Sequence, residues 1–126
     1  MKRKANLILS GVALWAAAAA LMHFIGPYLF NGGLPHIVFW ISNFLAPISV
    51  IPLIAKWIGR TKQNMLEPIT LILLPAMTLD GFAITFDTLG VTHIYASEPT
   101  LAGLTGGFLL FAFASFFFWA LIWHKE

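Results

Sequence analysis

The side chains able to do chemistry are few in this 126-residue chain: five acids, four histidines, seven lysines and arginines, and no cysteine. Without cysteine there is no thiolate nucleophile, thiolate metal site or disulfide framework. The chain has no G-x-S-x-G element, no phosphate-cradling glycine loop and no serine placed beside a base. The residue that stands out is Asp80, set inside the apolar run from Pro68 to Asp87. An acid withdrawn from water must be neutralised, paired or hydrogen-bonded, so Asp80 is a candidate proton carrier or ligand anchor. His23 is the only histidine well inside an apolar run, and histidine is the residue type suited to gaining or losing a proton near neutral pH. Asn43, Asp87 and Thr105 complete the candidate set. A metal site would have to be assembled from His23, His36, His93 and the two aspartates. H-x-x-x-H and H-E-x-x-H spacings are absent, so no metal is expected. A haem needs two facing histidines, and no cofactor is expected either.

The elements that must carry these residues follow from hydropathy. The chain is 60% hydrophobic and 10% charged, with a mean hydropathy of +0.87. A soluble domain of this size could not hide that much apolar surface. Crossing about 30 Å of hydrocarbon takes roughly 20 apolar residues. Four segments meet that length, at about 6–26, 35–58, 68–87 and 101–123. The expected fold is an all-α, single-domain integral membrane bundle of four antiparallel helices, because the connections are short. Pro47, Pro52 and Pro75 are expected to kink helices two and three or break their ladders. Lys2–Lys4 and the Ala16–Ala20 stretch resemble a signal peptide. The apolar run continues through Leu21, Met22, Phe24 and Ile25, so an uncleaved first span is expected.

All seven lysines and arginines (Lys2, Arg3, Lys4, Lys56, Arg60, Lys62 and Lys125) fall on one side of this arrangement. The positive-inside rule then places both termini in the cytoplasm, in a bacterial inner membrane. That rule explains a pI near 9.2 without a nucleic-acid partner. The expected partners are the lipid bilayer and either another membrane protein or a second copy of the chain.

By a rise of about 1.5 Å per residue, Asp80 lies about 10 Å below the outer surface. Asn43 comes out at about 12 Å, and His23 and Thr105 at about 6 Å. Asp87, seven residues on, shares the face of Asp80 and is expected at the outer surface. These positions predict a polar cluster in the outer half of the bundle. Three readings of it compete: structural contacts that fix packing, a proton-linked or ligand site, and a metal site. An acid at mid-helix costs about 2.5–3.5 kcal/mol, and each Leu, Ile or Phe offsets about 0.3–0.6, so helix three is a marginal span whose acid must face inward. Close packing is expected at the Gly103/Gly107 pair and along the smooth face of Ala13, Ala16, Ala17 and Ala20.

The stretch Leu74-Pro75-Ala76-Met77-Thr78-Leu79-Asp80-Gly81-Phe82 resembles the Pro-Ala-Met-x-Leu-Asp third-span motif of a family of small bacterial four-span membrane proteins, a domain of unknown function. Leu14-Trp15, His23, Gly26 and Phe30 are similar in layout to the first span of that family. The resemblance implies a basic residue, arginine in many members, opposite the third-span acid; here that position holds His23, which would make the contact pH-dependent.

The function expected from the sequence is non-enzymatic: an accessory, assembly or ligand-responsive membrane component. A small proton-linked transporter or permease subunit titrating Asp80 is the alternative, and a membrane-embedded enzyme the third reading.

Overall fold

The computed structural model describes residues 2–96 and 98–125. Their long apolar runs fold into four helices, α1 (Lys2–Leu29), α2 (Leu34–Ile58), α3 (Leu66–Thr88) and α4 (Pro99–Trp123), with a single 3-10 turn at Lys62–Asn64. Each helix is long and apolar enough to cross a membrane. α1 begins before the expected Asn6 because its basic residues are good helix formers and carry the helix beyond the apolar run. α2 runs unbroken through Pro47 and Pro52, and α3 through Pro75. Gly59 ends α2 in the left-handed region, at φ 67°, where a side chain would be strained. From there the Arg60 N–H reaches back to the Ala55 carbonyl at 2.8 Å.

The short connections do not make all sequential helices neighbours. α1 packs on α3, α3 on α4 and α4 on α2, while the backbones of α2 and α3 stay apart. α4 lies between them because the α2–α3 connection passes beneath its end. There Lys62 sits 4.8 Å from the Trp123 ring centroid, and the Lys125 N–H donates to the Gln63 carbonyl. Directions follow from the contacts. Lys4 pairs with Glu67 at one end of α1 and α3, and Trp15 meets Asp80 further along, so these two helices run parallel. Phe39 stacks on Phe108 with ring centroids 4.5 Å apart, and Trp119 Nε1–H donates to the Phe44 carbonyl at 2.8 Å, so α2 and α4 are parallel too. The α3–α4 pair is antiparallel, with Ile84 beside Gly106 and Met77 near Phe113.

Two apolar cores result. One, around Ile51, Met65, Ile69 and Ala120, lies at the end carrying the lysines and arginines. The other, around Met22, Phe30, Tyr95 and Phe108, lies at the opposite end. The outside remains apolar: Leu9 is 65% exposed, Phe82 62% and Leu110 68%. Soluble monomers rarely expose so much apolar surface, which suits a setting in lipid.

The small residues that matter are not the expected ones. Ala13, Ala16, Ala17 and Ala20 are all exposed, and the buried stripe of α1 is Leu7, Gly11, Ala19, Met22 and Gly26. At Gly11 the backbone of α1 lies so close to α3 that a Cβ would run into the Ile72 carbonyl oxygen and the Pro75 ring. Gly103 and Gly107 are exposed, with open space where a side chain would go, so the pair expected to pack helices does not do so within the chain.

Candidate functional site

Asp87 organises the far end of the bundle. It lies in the last turn of α3 and is 2% exposed, covered by the loop that follows it. Its Oδ1 accepts the Thr92 hydroxyl at 2.6 Å and the Ile94 N–H at 2.8 Å. Its Oδ2 accepts the N–H groups of Tyr95 and Ala96 at 2.7 and 3.2 Å. A carboxylate is acceptor-only and can take several such bonds, so one side chain folds residues 92–96 back over the helices. His23, on α1, adds a tether: its Nδ1–H donates to the Ile94 carbonyl at 3.0 Å.

The fold-back carries Tyr95 into the core, where it is fully buried. Its hydroxyl donates to Asp80 Oδ1. Burial, and then the bond to Asp80, pushes the Tyr95 hydroxyl well above the usual tyrosine range, so it stays protonated and remains a donor. Asp80 itself is 5% exposed and turned into the bundle, the inward direction expected of an acid within an apolar run. Trp15 of α1 abuts both groups. Its indole N–H is buried without a hydrogen-bond partner among the described residues.

Asp80 also lines a groove of about 290 Å³ between α3 and α4. Met77, Ile84, Gly106, Leu109 and Phe113 form its apolar walls, and its rim residues Gly81, Thr85 and Leu110 are exposed on the flank of the bundle. Asp80 is the one ionisable group in this lining.

The other expected members of the polar cluster go elsewhere. His23 is exposed and serves the loop. Asn43 bonds the Phe39 carbonyl of its own helix at 3.0 Å, on a helix whose backbone stays clear of α3. Thr105 is buried, but its hydroxyl returns to the Leu101 carbonyl. His36 sits between two donors, Gly32 N–H at 3.2 Å from Nδ1 and Trp40 Nε1–H at 2.9 Å from Nε2. A neutral imidazole accepts at one nitrogen only, so it satisfies one of them. Among the described residues, no three His, Asp or Glu side chains are grouped to hold a metal. The residues that do meet Asp80 are two that a search for acids and histidines passes over. Tyr95 reads from the sequence as an interface aromatic, and Trp15 figures only in the family-like stretch. The available signal is the spacing of the aspartates: two acids on one helix face need donors, and the loop after Asp87 supplies them.

At the opposite end Glu67 meets Lys4 at 2.8 Å and Arg60 at 3.5 Å, beside an open polar crevice that also includes Thr61, Asn64 and His124. Comparison with family models, curated proteins and solved structures finds no match to this chain.

Proposed function

We propose that this chain is a non-enzymatic, ligand-responsive accessory component of a bacterial cytoplasmic membrane, crossing it four times with both termini inside. The apolar flank and the four long helices support insertion. The gathering of Arg3, Lys4, Lys56, Arg60, Lys62 and Lys125 at one end supports the orientation, with Asp87, His93 and Glu98 at the other.

The observation that carries the functional part is the double role of Asp80. The same carboxyl group lines a lateral groove and holds Tyr95 of the outer loop. A molecule that enters the groove and engages Asp80 competes with, or reinforces, the bond that seats the loop. Groove occupancy is thereby converted into a change at the membrane surface, where a partner protein can read it. The test is a fluorophore attached at His93→Cys in the otherwise cysteine-free chain, reconstituted in nanodiscs. Amphipathic compounds that occupy the groove should change its mobility, and Tyr95→Phe should abolish the response. Label mobility that no compound alters would refute the reading.

A second reading, a transporter titrating Asp80, rests on the same placement of the acid in the lining of a lateral groove. It predicts pH-dependent flux in liposomes that Asp80→Asn abolishes.

A further inference from the structure

We infer that the α3–α4 groove binds an ammonium group carried on an apolar chain, with Asp80 as its counter-ion; the inference rests on the groove being a ligand site. The walls are hydrocarbon and the rim opens where an acyl environment would lie, so the body of the ligand is apolar and enters sideways. At about 290 Å³ the groove holds the equivalent of about ten water-sized groups, enough for a head and the first part of a chain. What selects the head is Asp80. Only one of its oxygens receives the Tyr95 hydroxyl, and among the described residues no lysine, arginine or histidine lines the groove to pair with it. An alcohol or amide head could hydrogen-bond there, but of these heads only a cation also offsets the charge of the carboxylate in a low-dielectric setting. A carboxylate or phosphate head would place like charges together and is rejected.

The glycines keep this site open. A Cβ placed on Gly81, at the rim, would have nothing within 4 Å, so a leucine there has room to reach across the opening without displacing a helix. At Gly106 the same Cβ would meet Ile84 at 3.3 Å, so this glycine forms the tight wall instead.

Native mass spectrometry of the purified chain, mixed with decylamine, decanol or decanoate, tests this directly. The wild type should retain one decylamine per chain, roughly ten- to a hundredfold more tightly than decanol, the range of a charge-assisted bond, and should exclude decanoate. Asp80→Asn keeps an acceptor for the Tyr95 hydroxyl and should lose the preference while still retaining decanol weakly. Gly81→Leu should lose both ligands while melting like the wild type. Equal retention of amine and alcohol, or a preference that survives Asp80→Asn, overturns the cation assignment and leaves the ligand-site reading standing. Retention of neither ligand overturns both. A dimer that takes ligand only after dissociation shows the groove to be a subunit interface and overturns the inference.

Discussion

Asp80 and Asp87, seven residues apart on one face of α3, hold the two ends of the same residue. Asp87 Oδ2 accepts the Tyr95 backbone N–H at 2.7 Å, and Asp80 accepts the Tyr95 hydroxyl. The two acids differ in what they control. Asp87 shapes a loop, and Asp80 connects that loop to a groove.

Replacing Asp87 with Ala removes the acceptor of four hydrogen bonds at once and leaves three backbone donors to find water. A loss of about 2–4 kcal/mol is expected, since buried bonds to a charged group are worth about 1.5–3 kcal/mol each and the freed loop partly rehydrates. Hydrogen exchange should show the amides of Ile94, Tyr95 and Ala96 losing protection together, with the helices unaffected.

Tyr95→Phe is the more selective change. It deletes one hydroxyl, keeps the ring in the outer core and strands Asp80 without its donor. Melting in nanodiscs should report a loss of about 1–3 kcal/mol. The same three loop amides should stay protected, because Asp87 still binds them.

Glycine substitutions should separate the contact that packs the helices from the pair that only looks suited to it. Gly11→Leu drives a side chain into the Ile72 carbonyl and Pro75, and should cost about 3 kcal/mol or more by forcing α1 off α3. Gly103→Leu and Gly107→Leu enter open space and should change stability by no more than about 0.5 kcal/mol. Thermal melting of the three variants side by side reads the difference.

Topology can be checked in the native cysteine-free chain, where every introduced cysteine reports alone. In intact cells an impermeant maleimide should label His93→Cys and spare Arg60→Cys until the membrane is opened. Labelling of Arg60→Cys from outside would reverse the assigned orientation.

The helices and the inward turn of Asp80 were legible because both follow from transfer energies along one segment: about twenty apolar residues make a helix in lipid, and an acid among them must face protein. What the sequence did not disclose depends on relations between segments. The short turns around Gly32 and Gly59 are as compatible with α4 between α2 and α3 as with sequential neighbours. Helices apolar on every side give no signal for which face turns inward, so Ala13 and Gly103 look as suitable for packing as Gly11. Depth alone matches His23 with Asp80, although His23 points to the Ile94 carbonyl. Tyr95 lies fifteen residues beyond Asp80, and its approach exists only because Asp87 reverses the chain.

Groove and loop communicate only if Asp80 and Tyr95 act as one unit, and a double-mutant cycle tests that most directly. Melting free energies of Asp80→Ala, Tyr95→Phe and the double variant, in the same nanodiscs, should differ from additivity by about 1–2 kcal/mol, as for residues in direct contact. Additivity within about 0.3 kcal/mol would mean that the two do not communicate, and the link from groove to loop would be lost.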